Sequence, residues 1–330
     1  MTSAELNKLF TSFNKVNALI IGDLMLDAYY WGDVSRISPE APVPIVSVRK
    51  KESRMGGAGN VAINIQAMGA TPYLCGIIGN DDNGERMLKI MQENKMPVHG
   101  VVKVTDRPTT TKTRIISHNQ HIVRIDEETD TVISQQQSDK LFAQVEKIVN
   151  GGKIGVIIFE DYDKGVISSA LIDKVTALAK KHEIPTVVDP KKRNFTAYRK
   201  VTLFKPNLKE LKEGVGTDID ATDLEKLRKT AEVLRKKQEI DIALITLSEH
   251  GVYVNSDKEK KLIPAHIRNI SDVSGAGDTV VSVAALCCAL GLSPIYTAFL
   301  SNLAGGQVCE KTGVVPVNKE QLLKEAGQYL

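Results

Sequence analysis

Residues 272–278 read Asp-Val-Ser-Gly-Ala-Gly-Asp, and an apolar stretch runs on from Thr279 to Leu292. Three small residues in a row, Gly275, Ala276 and Gly277, let the backbone turn tightly and lie close to a ligand. If Thr279 opens a helix, their N–H groups sit at its amino end, where an anion is favoured. Asp278 then stands beside that anion hole. A free carboxylate repels phosphate, so a better reading is a base. It would take a proton from an attacking hydroxyl next to a cradle for the transferred phosphoryl group. Taken alone, the motif reads equally well as a Gly-rich helix start with an acid in its first turn.

The rest of the chain decides what surrounds this motif. Short apolar runs alternate with amphipathic ones. Ala18–Ile21, Tyr73–Ile78, Ile154–Phe159, Thr186–Val188, Val201–Phe204 and Ile242–Leu247 read as buried strands. Helical spacing appears at 57–68, 83–94, 138–149, 167–181, 207–213 and 222–237. This rhythm predicts an α/β fold with a mostly parallel sheet and helices on both faces. Residues 28–49 and 98–126 break it. Val43–Val48 and the runs Val98–Val104, Thr111–Ser117 and His121–Ile125 are β-like, and prolines stand at 39, 42 and 44. They predict a small second sheet, a lid with edge strands.

Composition narrows the classes. The chain has 330 residues, 42% hydrophobic and 25% charged, with a net charge of +3. That fits a globule and argues against disorder. Basic residues are scattered and not interleaved with aromatics, so no nucleic-acid partner is expected. The longest apolar stretch, 279–292, is too short for the ~20 residues that span a bilayer, so no membrane partner is expected either. Four cysteines without a CxxC pair and an amino terminus without a signal pattern predict a cytoplasmic protein. The histidines show no metal-ligand spacing.

Other motifs carry candidate chemistry. Gly56-Gly57-Ala58-Gly59-Asn60 can be aligned to a dinucleotide fingerprint, but polar residues precede it where a buried strand is required. The alternative is a loop whose bare backbone lies against a polar small molecule, with Asn60 adding an amide. No P-loop is present: the nearest approach, Gly306 to Thr312, has Glu310 where glycine is needed. Asp23 and Asp27 follow the first strand, where a carboxylate suits sugar hydroxyls; Asp23 reads equally as a helix cap. Asn207 and Glu210 share one face of a helix start. They suit a hydrated Mg²⁺ held through water, or a capping box. Charged tips at Glu160–Lys164 and Asp189–Lys191 close successive strands.

Together these pieces resemble the ribokinase-like (PfkB) family of sugar kinases. Residues 56–79 look like its first signature, through Gly56, Gly57, Ala58, Asn60, Gly69 and Gly79. Residues 272–284 look like its second, with Val283 where the family usually carries Ala or Gly. The resemblance covers essentially all 330 residues. It implies a single kinase domain over 1–330, ribokinase-like, with a β lid formed by about 28–49 and 98–126. It implies ATP and Mg²⁺ as cofactors and a homodimer joined through the lid; a monovalent cation is possible by analogy, though no residue pattern shows it. By position, Asp278 is the general base, and Gly275, Ala276 and Gly277 form the anion hole. Asp27, Gly56, Gly57 and Asn60 hold the sugar. Asn207, Leu208, Lys209 and Glu210 match the N-x-x-E motif of the metal and ATP phosphates. Asp189, Lys191, Ser248, Gly251 and Asn302 line the nucleotide side.

A narrower resemblance rests on GDLMLDAYYWG (22–32), SRISPEAPVPIV (35–46) and TKTR (111–114). It is to those members that phosphorylate D-glycero-β-D-manno-heptose 7-phosphate at C1, on the route to nucleotide-activated heptose for lipopolysaccharide. Many carry an adenylyltransferase as well; this sequence shows no H-x-G-H-type nucleotide motif, so the kinase alone is expected. The 7-phosphate needs cations. Arg114, Lys112, Lys191 and Arg124 are available, with Arg114 favoured because a guanidinium grips phosphate bidentately. Alternatives are another sugar kinase of the family and a non-catalytic sugar sensor, which would have no need of Asp278.

Overall fold

The fold was obtained as a computed structural model that describes residues 1–118 and 120–329. Its large sheet has nine strands in the order β13-β12-β11-β10-β9-β8-β1-β4-β5. These are β13 (Lys260–Ile263), β12 (Val252–Asn255), β11 (Ile242–Thr246), β10 (Leu203–Phe204), β9 (Thr186–Asp189), β8 (Ile154–Glu160), β1 (Asn17–Gly22), β4 (Thr71–Gly79) and β5 (Val101–Val104). Pairing is parallel from β11 through to β5, while β12 and β13 add an antiparallel edge. The period-2 alternation of the strands divides the core. On β1, Ala18 and Ile20 enter one apolar layer and Leu19 and Ile21 the other.

The first layer is covered by α1 (Ser3–Ser12), α2 (Ala58–Ala67), α3 (Asp82–Glu93), α8 (Ala276–Ala289), α9 (Pro294–Cys309) and α10 (Lys319–Tyr329). The second is covered by α4 (Gln135–Gly151), α5 (Ser169–Lys181), α6 (Leu208–Val215) and α7 (Leu224–Gln238). Helix α8 is apolar all round and buried from Asp278 to Cys287, as a helix wrapped by neighbours must be. Among the described residues no helix is long and apolar enough to cross a membrane.

The lid is a separate four-stranded sheet of order β3-β2-β6-β7, from β2 (Leu24–Ile37), β3 (Pro44–Gly57), β6 (Thr111–Ser117) and β7 (Gln120–Glu127). Two expectations shift here. Val101–Val104, expected in the lid, forms β5 and pairs with Gly76–Gly79 of the large sheet. The lid begins four residues earlier than expected and runs to Gly57, so Gly56 and Gly57 end a strand and do not lie in a free loop. Proline 44 opens edge strand β3, where its missing N–H costs no ladder bond.

β1 is the switch point of the large sheet. From it the chain steps outward to β4 and β5 on one side, and later to β8, β9 and β10 on the other. A crevice beyond the carboxyl ends of β1 and β8 follows from that topology. Asp23, Glu160, Asp189 and Lys205 all stand at or just beyond strand carboxyl ends there.

Candidate active site

Helix α8 begins at Ala276, three residues before the expected start, so the Gly-Ala-Gly-Asp motif is itself the cap and first turn. Gly275 is the N-cap with φ +79°, a left-handed conformation that disfavours a side chain. A Cβ there would also meet Val314 at 3.0 Å and Asn60 Nδ2 at 3.1 Å. The Ala276 N–H donates to the Val273 carbonyl at 3.3 Å, whereas those of Gly275, Gly277 and Asp278 have no protein acceptor among the described residues. Of the three residues expected to form the anion hole, Gly275 and Gly277 therefore present open donors.

Asp278 is buried, and both carboxylate oxygens are held. Asn60 Nδ2 donates to Oδ2 at 2.6 Å and the Tyr162 hydroxyl donates to Oδ1 at 2.7 Å. Burial pushes the carboxyl up to about 6, against the pull of the Asn60 and Tyr162 bonds. Such a group is ionised at neutral pH yet basic enough to accept a proton from a sugar hydroxyl. The turn is braced from behind: Thr279 Oγ1 donates to Asn64 Oδ1 at 3.2 Å, and the Val317 N–H to the same oxygen at 3.0 Å.

Two more carboxylates meet this base. Ligand atoms of Glu160, Asp189 and Asp278 lie within 4.8 Å of one another. Lys205 Nζ reaches Asp189 Oδ2 at 2.9 Å, and both side chains are no more than 5% exposed. Burial pulls the Lys205 ammonium down, but Asp189 and Glu210 outweigh it and hold it above its usual range. Burial together with Asp189 and Asp278 drives the Glu160 carboxyl well above the ordinary range. Glu160 Oε2 and Asp189 Oδ1 are buried without a hydrogen-bond partner, an uncommon and costly state. Those two atoms fit a hard divalent cation.

The expected metal pair is engaged otherwise. Asn207 and Glu210 form a capping box on α6, with Glu210 N–H to Asn207 Oδ1 and Asn207 N–H to Glu210 Oε2 both at 2.8 Å. The other Glu210 oxygen is ion-paired with Lys191. Lys209 points to solvent, its side chain 84% exposed, and Leu208 is half-buried. Ser248 and Gly251 flank the turn between β11 and β12, and the Asn302 amide donates to the Pro264 carbonyl at 2.9 Å. A Cβ on Gly251 would strike the Ile263 carbonyl. These three residues thus gather beside the exit of β13.

On the lid side, a pocket of about 300 Å³ is lined by Asp27, Tyr29, Arg54 and Asn60, with residues 314–316 opposite. Asn60 joins it to Asp278. Asp27 is held by Arg114 Nη1 at 2.5 Å, and the Arg114 guanidinium lies 5.3 Å from the Tyr29 ring centre. A Cβ on Gly56 would come within 2.1 Å of Asp27 Oδ2, so this glycine makes room for the carboxylate. Gly57, at φ +55°, admits the Asp23 carbonyl in the same way. Lys112 is spent on Asp126 and Glu128, at 3.0 and 2.9 Å. Asp23 neither caps a helix nor lines the pocket. Its buried carboxylate accepts backbone N–H bonds from Tyr162, Lys164 and Val166, at 2.8, 3.1 and 3.2 Å, and so fixes the turn that carries Tyr162.

Tyr162, Lys205 and Arg54 were not singled out by the sequence. Each had a weak signal: Tyr162 sits among acids at a strand tip, Lys205 follows an apolar strand, and Arg54 stands two residues before the glycine cluster.

Comparison with known proteins agrees with this geometry. Residues 16–321 match the family described as pfkB family carbohydrate kinase. The chain is 39% identical over 319 residues to the bifunctional protein HldE of Magnetococcus marinus, covering 96% of this chain and 65% of that protein. It is 38% identical over 328 residues to the bifunctional protein HldE of Citrifermentans bemidjiense, covering 99% of this chain and 66% of that protein. The chain thus spans about two thirds of the length of these relatives. In fold it is similar to phosphofructokinase-2 from Escherichia coli in complex with potassium, with a TM-score of 0.76 at 18% identity over 95% of this chain and 98% of that one. It is similar also to Arabidopsis thaliana ribokinase complexed with ribose and ATP, with a TM-score of 0.69 at 16% identity over 94% and 99%.

Proposed function

The chain belongs to the pfkB family of carbohydrate kinases, phosphotransferases acting on sugar hydroxyls, and from that premise we propose that it transfers the γ-phosphoryl group of ATP to the anomeric hydroxyl of D-glycero-β-D-manno-heptose 7-phosphate. The product is the 1,7-bisphosphate, a precursor for nucleotide-activated heptose and the lipopolysaccharide core. The observation that carries the kinase chemistry is Asp278, a buried carboxylate held by Asn60 and Tyr162 beside the open N–H groups of Gly275 and Gly277. The choice of sugar is supported by residues 22–46 and 111–114, which build β2, β3 and β6 of the lid, and by the HldE relatives.

In this reading the sugar lies in the pocket between the lid and α2, with Asp27 accepting hydroxyl hydrogen bonds. Asp278 takes the C1 hydroxyl proton as the oxygen attacks the γ-phosphorus in line; the bond to the bridging oxygen breaks and ADP leaves. Negative charge on the phosphoryl oxygens is met by the amino end of α8 and by Lys205. A divalent cation, held by Glu160 and Asp189, would neutralise phosphate oxygens of ATP. ATP consumption with heptose 7-phosphate tests the reading: turnover supports it, and turnover confined to other sugars removes it.

A homodimer joined at the lid is part of the same reading. It is supported by Ile37, Val43, Val123 and Ile125, large apolar lid residues between 46% and 59% exposed. Light scattering is expected to give twice the chain mass, and a V123D/I125D chain the single mass; a monomeric wild type would refute it.

A further inference from the structure

We propose that Arg54, seconded by Arg86, is the subsite that grips a phosphate ester remote from the reacting hydroxyl and so selects phosphorylated sugars. This rests on the reading of the pocket as a sugar-phosphate site. The cations that the sequence offered for this task are committed elsewhere. Arg114 is bound to Asp27, Lys112 to Asp126 and Glu128, Arg124 to Asp126, and Lys191 to Glu210.

Arg54 is differently placed. It lines the pocket and stands directly opposite Asp27 in the β2–β3 register, on the same face of the lid. Its Nε donates to Glu52 Oε1 at 2.5 Å, and its guanidinium carbon sits 5.3 Å from the Tyr29 ring centre. Among the described residues neither Nη1 nor Nη2 has a protein acceptor. The Glu52 contact and the aromatic face hold the fork flat while both amino groups stay open, the arrangement that binds a phosphate bidentately. Glu52 also pairs with Lys50 at 2.9 Å, so its charge is shared and does not cancel Arg54 alone.

Arg86 reaches the pocket's edge from α3. Its Nη1 donates at 3.2 Å to Ser53 Oγ, and Ser53 lines the same pocket. Ile90 and Asn94, one and two helical turns further on, line the pocket too, so this face of α3 carries Arg86 toward it. Arg54 precedes Gly57, the cap of α2, by roughly 10 Å of extended strand, and Asn60 in the first turn of α2 touches the base. The cationic end is therefore set apart from the site of phosphoryl transfer, where a distal ester of the sugar would lie.

The test is steady-state kinetics with the full chain and ATP, comparing heptose 7-phosphate with the same heptose lacking phosphate. Arg54→Ala is expected to lower kcat/KM for the phosphorylated sugar by roughly 30- to 100-fold and for the unphosphorylated one by less than about 3-fold. Arg54→Lys, which keeps charge but loses the fork, should recover part of the loss, and Arg86→Ala should lose several-fold with the same selectivity. If the wild type prefers a different phosphosugar, the same pair of measurements is made with that sugar. The heptose reading then fails, while a selective loss still supports the subsite. Equal losses for both sugars, no loss in Arg54→Ala, or a wild type that ignores the distal phosphate would overturn the subsite.

Discussion

Replacing Asp278 with asparagine removes a proton acceptor and a buried charge in one isosteric step, so activity and stability are expected to move in opposite directions. The structure sets the size of the second effect. Burial lifts the carboxyl from 3.8 to about 6; at ~1.4 kcal/mol per unit, the ionised form is disfavoured by roughly 3 kcal/mol. Because the folded value lies above the unfolded one, the folded protein holds this proton more tightly. That stabilisation is complete below about pH 4 and is lost as pH rises through about 6. Asparagine does not titrate. The stability of Asp278→Asn relative to the wild type should therefore climb across this window. The gain at about pH 8 is up to about 3 kcal/mol, less about 1 kcal/mol for placing a new donor against Asn60. Denaturant titrations at several pH values read this gap directly. Turnover should fall by about 100-fold or more, and wild-type kcat/KM should fall on the acid side with an apparent pKa near 6. A gap that does not change with pH, or a variant less stable than the wild type at pH 8, would refute the buried-base account.

Tyr162→Phe removes the hydroxyl that orients Asp278 Oδ1; kcat is expected to fall about 10-fold while KM for ATP stays within about 2-fold, read by steady-state kinetics. Lys205→Met strips the buried partner from Asp189, leaving an uncompensated charge; urea unfolding should show a loss of about 3–5 kcal/mol. Gly56→Ala places a methyl group 2.1 Å from Asp27 Oδ2 and must displace that carboxylate. The sugar KM is expected to rise about 10-fold with ATP binding intact, and an unchanged KM would remove Asp27 from the sugar site.

The chain displays its fold in the parts where period and punctuation agree. Strands β1, β4, β8 and β11 are continuous apolar runs closed by polar tips, as buried parallel strands should be. Helix α9 lacked that legibility because it is apolar on nearly every side, which erases the helical period. The run 98–104 reads as a strand in isolation, but nothing in its own pattern says which sheet takes it. The site divides in the same way. Asp278, Asn60 and Gly275 stood out through the two glycine signatures taken together, because the Gly-Ala-Gly-Asp run alone reads equally well as a capped helix start. The Asn207/Glu210 spacing served two physical purposes equally, and tertiary pairing with Lys191 shows the second oxygen already taken. Arg114 and Lys112, two apart on β6, look equivalent in sequence; their cross-strand partners, Asp27 for one and Asp126 with Glu128 for the other, give them different work. Glycines 56 and 57 looked like ligand contacts, yet each first makes room for a neighbouring aspartate or carbonyl.

In the proposed reaction Asp278 drives phosphorylation of a heptose phosphate at C1. The most direct measurement is ATP consumption with heptose 7-phosphate against a panel of ribose, fructose and their phosphates, with the product identified by phosphorus NMR. Fast turnover of heptose 7-phosphate is expected, with a new phosphate coupled to the anomeric proton and no such product from Asp278→Asn. Fast turnover of a ribose or fructose phosphate with none of the heptose phosphate would contradict it.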